Sequence, residues 1–485
     1  MTMTDNQRNL NRPDSLSEGT GFFRSPEGEL RCEGVSLEDA AREFGTPLYV
    51  YSRAAIEERI RAYEDAFGDA PHQVCYAVKA ASTRGILELV AAAGAGFDCV
   101  SGGEILRALE AGGDPAKIVF SGVGKSETDI AFALRAGIRC FNIESPAELD
   151  RIHDVALALG ATAHVSVRVN PNIDAHVDAH VATGLGDSKF GVKLSEVIPL
   201  YEKAAGLSNI RIEGISCHIG SLVETTDPYL REVDVLAGFV NELAERGITL
   251  RHIDLGGGAG VAYRPEEKPL EPAVLIPALV AAVREKVRTP DIEIFVEPGR
   301  SVIAQAAVLL TRVQYLKSGL FERRFCVVDA SMTELIRPAI YGSYHAIEPV
   351  TPNPKAPRQV LNIVGSVCES TDFLGNDRSL AVEAGDLLAI RTTGAYGMSM
   401  ASTYNSRPLP MEALVDGDRL VPLRRPQTAL DLSRDDLPLG VSGNLVETRN
   451  RRQIFAEALS FARKREDLRA AQAAEAAEAK KAAKA

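Results

Sequence analysis

Four polar features stand where short apolar runs end. Lys79 closes "CYAVK", His218 follows "GISC", Glu297 closes "IEIFVE", and "GGGAG" (256–260) follows "HIDL". A lysine amine condenses with an aldehyde to form a Schiff base. A histidine ring can stack on a flat heterocycle, and a carboxylate keeps a pyridinium nitrogen protonated. Glycine amides, unshielded by a Cβ, bind phosphate. Singly, each has a plain structural reading: a solvated strand-end lysine, a hydrogen-bonded core histidine, a tight turn. Together they meet the needs of pyridoxal 5′-phosphate.

Something must bring these residues to one place. From about residue 52 to 305 the chain alternates short apolar runs with amphipathic stretches. The runs are 72–79, 96–101, 117–122, 140–145, 164–170, 212–220, 252–258 and 292–299. In the first, period-2 alternation sets Val74, Tyr76 and Val78 opposite Cys75, Ala77 and Lys79. Between the runs lie helical segments such as "GGEILRALEAGG" and "SPAELDRIHDVALALG", the latter opening on a Ser-Pro cap signal. Eight strands alternating with helices over about 250 residues predict a (β/α)8 barrel. A doubly wound sheet is the weaker alternative, because no G-x-G-x-x-G stands in a dinucleotide-binding context. In such barrels the reactive side chains gather at the C-terminal strand ends. Lys79, His218 and Glu297 end the first, sixth and eighth runs, so they converge on one mouth.

Beyond residue 305 the texture changes. "AVLLTRVQYLKS", "RRFCVVDAS", "RQVLNIVGSVC" and "DLLAIRTTGAY" are strand-like and separated by Gly, Pro and Asp. This predicts an all-β, barrel-like domain over 306–430, to which 19–51 adds an N-terminal strand. Residues 1–18 read as a disordered start. Residues 431–485, ending "AAQAAEAAEAKKAAKA", read as a partly helical, Ala-rich extension without an apolar stripe.

Composition narrows the partners. The 485 residues are 45% hydrophobic and 25% charged, with a formal net charge of −12 and no long basic run. That argues against nucleic acid or an anionic membrane. Seven cysteines are scattered without a C-x-x-C pair, which predicts reduced thiols and a cytoplasmic setting. No apolar run is long enough to span a membrane, and the polar start has no signal-peptide core.

The motifs "YAVKA", "FDCVSGGE", "SCHIGS", "DLGGGAGV", "EPGRS", "CESTDFLG" and "GAYGMSMASTYN" occur in order between about residues 20 and 425. The chain thereby resembles the fold-type III pyridoxal-phosphate decarboxylases, and within them the diaminopimelate decarboxylase family. The resemblance implies an alanine-racemase-type barrel with a C-terminal β domain. It also implies that Lys79 is the Schiff-base lysine, that His218 stacks on the pyridine ring and that Glu297 pairs with its nitrogen. Asp98 would support the lysine. Ser221, Gly256, Gly257, Gly258 and the backbone of Glu297, Pro298, Gly299 and Arg300 would hold phosphate. Substrate would meet Arg300, Arg337, Tyr341, Glu369 and Tyr396, the last also touching the cofactor. Cys368 would be the proton donor. Cys368 and Glu369 would come from the partner subunit of a homodimer with shared active sites.

The implied substrate, meso-2,6-diaminopimelate, keeps an amino-acid group at the end that does not react. Arg300, Arg337 and Glu369 supply the cations and the anion that this group needs. The expected reaction releases carbon dioxide and L-lysine, the last step of lysine biosynthesis. Alternatives on the same fold are decarboxylation of ornithine, arginine, lysine or carboxynorspermidine, a racemase, or a non-catalytic pyridoxal-phosphate carrier. The last two are disfavoured by "CESTD" and by the second domain. His176 and His180 have the i, i+4 spacing of helical metal ligands, but Pro171, Asn172 and "GLGD" around them predict a loop, and no H-E-x-x-H is present. No metal is expected.

Overall fold

The computed structural model describes residues 16–175, 184, 188–436 and 439. Four strands open the chain: β1 (Phe22–Arg24), β2 (Leu30–Cys32), β3 (Val35–Ser36) and β4 (Leu48–Ser52). The first three form a small antiparallel sheet, while β4 enters a larger one further on. Leu16, inside the stretch expected to be disordered, is buried, and its carbonyl accepts a hydrogen bond from Arg391. Residues 1–15 of that stretch lie outside the described residues.

Eight parallel strands then close a barrel. They are β5 (His72–Ala77), β6 (Gly96–Cys99), β7 (Ile118–Phe120), β8 (Cys140–Ile143), β9 (Ala163–Val169), β10 (Ile210–Cys217), β11 (His252–Asp254) and β12 (Glu293–Val296). Serines cap three of the intervening helices, the last of them at the expected Ser-Pro signal. Ser101, Ser126 and Ser145 each accept the N–H three residues on, and Pro146 follows the last of them. The barrel floor is filled by Cys75, Val119, Cys140 and Phe295. His252 stacks on Phe295 with centroids 4.3 Å apart. Gly214 makes room for that ring, since a Cβ there would lie 2.2 Å from His252 Nε2.

Every barrel strand stops short of the run predicted for it, and this corrects one detail. Lys79 does not continue the alternation of Cys75 and Ala77. Pairing between β5 and β6 ends at Ala77 opposite Asp98, and the chain winds into a 3₁₀ turn, Val78–Ala80. The Ala77 N–H donates to Pro298 O, and Ala80 O accepts from the Tyr396 N–H and the Ser399 hydroxyl. The turn, not strand parity, aims the lysine.

The remaining strands are β13 (Ala307–Ser318), β14 (Arg324–Val328), β15 (Ile347–Pro349), β16 (Arg358–Val364), β17 (Phe373–Ala381), β18 (Leu387–Ile390), β19 (Met411–Asp416) and β20 (Arg419–Pro422). With β4 they form a nine-stranded sheet whose main path runs β17-β16-β14-β13-β4-β19-β20. β4 lies between β13 and β19, so the N-terminal segment is built into this sheet's core. Most of the C-terminal extension lies outside the described residues, as do His176 and His180. Among the described residues no helix is long and apolar enough to cross a membrane, and no cluster of three or more His, Cys, Asp or Glu could hold a metal ion.

Candidate active site

A cavity of about 410 Å³ opens at the C-terminal end of the barrel, within the size range of small-ligand sites. Lys79, His218, Ser221, Glu297, Arg300, Arg337, Tyr341 and Tyr396 all line it. Lys79 Nζ donates to Asp98 Oδ2 at 2.6 Å, and Asp98 is fully buried at the end of β6. Burial disfavours the lysine's charge, but Asp98, with Tyr396 and Glu297, outweighs it and raises the pKa.

His218 lies just past β10. Its Nδ1 accepts the Gly257 N–H at 3.2 Å. Burial, then Arg168 and Lys79, lower its pKa well below the imidazole norm. A neutral ring whose Nδ1 accepts must carry its proton on Nε2. Glu297, just past β12, is buried, and its Oε1 has no hydrogen-bond partner. Burial first, then repulsion from Asp254 and Asp98, push its pKa up. The Asp254 carboxylate accepts the Gly256 N–H at 2.9 Å and shapes the glycine loop.

That loop passes close to its neighbours. A Cβ on Gly257 would lie 2.1 Å from Glu297 O, and one on Gly258, at φ +101°, would lie 2.0 Å from Gly220 O. Pro298 and Gly299 are buried behind it, where Gly299 packs on Ala77 and Ala80. Arg300 Nε donates to Ser221 Oγ at 3.1 Å and Nη1 to the Tyr263 hydroxyl at 2.6 Å. The Arg300 guanidinium also sits 4.7 Å from the Tyr396 ring centroid, with Tyr396 held at φ +56°. Arg337 is buried in the short helix Arg337–Tyr341. It bonds Ser343 Oγ at 3.0 Å, while its buried Nε has no partner.

These residues fit pyridoxal 5′-phosphate. A primary amine, a histidine and a buried acid with one unpartnered oxygen meet around one cavity beside a glycine loop. Two residues assigned to the site stand apart from it. Cys368 and Glu369 are exposed and do not line this chain's own cavity.

The structure also adds residues that the sequence reading passed over. Arg168, Asn142, Ser121, Ser216 and Met400 line the cavity, and Asp254 lies beneath it. Arg168 is paired with the buried Glu144 at 3.0 Å and stacks on Phe190. Its signal was a charge inside the apolar run 164–170, on the same strand-end logic that exposed Lys79.

Comparison with known proteins gives the same picture. The family "Pyridoxal-dependent decarboxylase, pyridoxal binding domain" matches residues 53–304. A diaminopimelate decarboxylase from Pseudomonas aeruginosa is 48% identical over 410 residues, covering 84% of this chain and 97% of that protein. The Helicobacter pylori diaminopimelate decarboxylase, solved in complex with L-lysine, superposes with a TM-score of 0.78 at 38% identity, covering 82% of this chain and 98% of that one. The corresponding M. jannaschii structure, also with L-lysine, gives a TM-score of 0.82 at 34% identity, covering 88% and 100%. Fold, cavity chemistry and likeness over most of the chain agree: it belongs to the diaminopimelate decarboxylase family of pyridoxal-dependent decarboxylases.

Proposed function

We propose that this chain decarboxylates meso-2,6-diaminopimelate to L-lysine and carbon dioxide, the last step of lysine biosynthesis. The observation that carries the substrate is Arg337, a buried guanidinium with an unpartnered Nε that lines the same cavity as Lys79. A buried cation without a carboxylate partner is costly, and a distal substrate carboxylate supplies one. Ornithine or lysine would leave it unpaired.

The proposed roles combine the family resemblance with the cavity lining. Lys79 Nζ would hold the cofactor through its aldehyde group. His218, its Nδ1 engaged by the Gly257 N–H, would stack on the ring. Glu297, whose buried Oε1 has no partner, would pair with the ring nitrogen. Ser221, Gly256, Gly257, Gly258 and the backbone through Pro298, Gly299 and Arg300 hold the phosphate. Pyridoxal 5′-phosphate bound there supplies an electron sink for the carbon that loses carbon dioxide. Arg300, Arg337, Tyr341 and Tyr396 orient the substrate, with Glu369 against its distal ammonium. Cys368 Sγ, from the neighbouring subunit, would be the proton donor.

Cys368 and Glu369 are exposed and do not line their own cavity, which supports a homodimer in which each subunit completes its neighbour's site. Residues 52–305 are assigned as the cofactor-binding barrel and 306–430 as the β domain. All seven cysteines are unpaired, which supports a reducing, cytoplasmic setting.

The test is carbon dioxide release from meso-diaminopimelate, L-ornithine, L-arginine, L-lysine and carboxynorspermidine. Preference for any of the last four overturns the substrate. Lys79→Ala should abolish both activity and the visible absorbance of lysine-bound cofactor. Release from none of the five, with cofactor bound, would leave only a carrier.

A further inference from the structure

One stretch of chain touches two functional places. Tyr396 and Met400 line the cavity, and the Tyr396 N–H donates to Ala80 O beside Lys79 at 2.8 Å. Further along, Asn405 Oδ1 accepts the Cys368 N–H at 2.8 Å. Arg407 then donates from Nη1 to Ser366 Oγ at 2.7 Å and from Nη2 to Asp329 O at 2.6 Å. The 365–372 turn is gripped from its other side too. Asp372 accepts the Met332 and Val367 N–H groups at 2.7 and 2.8 Å, and Ser331 Oγ accepts the Ser366 N–H at 3.0 Å. The turn's backbone is therefore fixed, although the Cys368 and Glu369 side chains are exposed.

Exposed turns are mobile by default, because few buried contacts hold them. Proton transfer needs the donor close to the receiving carbon, and small misplacements are costly in rate. A thiol on an exposed turn therefore needs such a grip. Asparagine suits the place: its amide supplies the acceptor, and it tolerates the left-handed φ of +56° found there.

We propose that Asn405 is a positioning residue for the Cys368 thiol. The stretch Tyr396–Arg407 then joins each cavity to the thiol that its own subunit lends to the neighbour. This rests on the reading of Cys368 as the proton donor supplied across the dimer.

The experiment uses the holoenzyme. Losing one exposed hydrogen bond should leave the fold intact, so Asn405→Ala should lower kcat about tenfold. KM for meso-diaminopimelate and the cofactor absorbance should stay unchanged, and Asn405→Asp, which keeps the acceptor, should recover most of the rate. In a Cys368→Ala background, Asn405→Ala should cost nothing more. A further loss there, or a change in KM and absorbance in place of kcat, overturns the proposal.

Subunit mixing separates this idea from the one beneath it. In exchanged mixtures of Asn405→Ala with Lys79→Ala, the intact lysine of one subunit meets a properly held thiol from the other, so activity should rise. The control is Cys368→Ala with Lys79→Ala. If the control recovers and the Asn405 mixture does not, Asn405 acts on its own cavity and the proposal falls. If neither recovers, the shared site falls, and the double variant alone decides whether Asn405 is coupled to Cys368.

Discussion

Lys79 Nζ lies 2.6 Å from Asp98 Oδ2; the carboxylate is wholly buried, while the lysine opens on the cavity. The pair holds the lysine as an ammonium, with Tyr396 and Glu297 adding to the effect and burial opposing it. An ammonium has no lone pair to attack an aldehyde, so cofactor capture must wait for proton loss. Asp98→Asn removes the main force for protonation and leaves burial in charge, so the lysine pKa falls. Covalent capture of pyridoxal phosphate, followed by absorbance after mixing, should then be faster near neutral pH. Its pH midpoint should move down. A midpoint that stays put or rises would show that Asp98 does not set the amine's charge.

Arg337 provides a test of substrate choice. Charge-assisted hydrogen bonds to a carboxylate are among the stronger polar contacts, and a lysine cannot reproduce a guanidinium fork. Arg337→Lys should raise KM for meso-diaminopimelate about 10- to 100-fold, with a smaller effect on kcat. Steady-state kinetics checks this. A KM within error of the wild type would place the distal carboxylate elsewhere.

Much of this was legible in the sequence, because barrel chemistry sits at strand ends and polar residues there interrupt apolar runs. Lys79, His218 and Glu297 could be found that way, and the order of the eight strands with them. The strand ends themselves were overextended. Pairing stops where neighbouring backbones diverge, as at Ala77 and Asp98, and side-chain types do not report that divergence. Lys79 stands at the mouth that the strand-end pattern indicates, but a 3₁₀ turn and not strand parity aims it. Arg168 carries the same strand-end signal as Lys79, but its partners Glu144 and Phe190 are distant in sequence and near only in the fold. The grip of Asn405 on Cys368 was hidden for the same reason.

The glycine loop gives a prediction about the cofactor. The Val223 N–H donates to Gly258 O at 2.9 Å, tying the loop to the strand end that carries Ser221. Gly258→Ala would place a methyl 2.0 Å from Gly220 O at a φ of +101°. The backbone at 220–221 must then shift and take Ser221 with it. Strain of this kind is worth roughly 1–3 kcal/mol, so cofactor affinity should fall about tenfold or more. Titration of cofactor-free protein with pyridoxal phosphate measures it. Unchanged affinity would remove this loop from the phosphate site.

Glu334 links the Cys368 region to pH. It is buried beneath the Ser331 turn, where its Oε2 accepts the Ser331 N–H and its Oε1 the Thr333 hydroxyl. Burial pushes its carboxyl from 4.5 up to about 7, despite Arg407 and these hydrogen bonds. A raised carboxyl pKa means that the folded state binds the proton more tightly than the unfolded one. Stability from this group is therefore highest below 4.5 and is lost as pH rises through 7. Above that, the cost is on the order of 3 kcal/mol. Glu334→Gln keeps an acceptor for Ser331, and the Thr333 hydroxyl can turn to accept from the new amide. In urea unfolding at about pH 8 the variant should be more stable than the wild type by about that amount, and at about pH 4 the two should coincide. A difference that is the same at both pH values would mean that Glu334 is already ionised, or already neutral, throughout, and that the pH response of this region comes from another group.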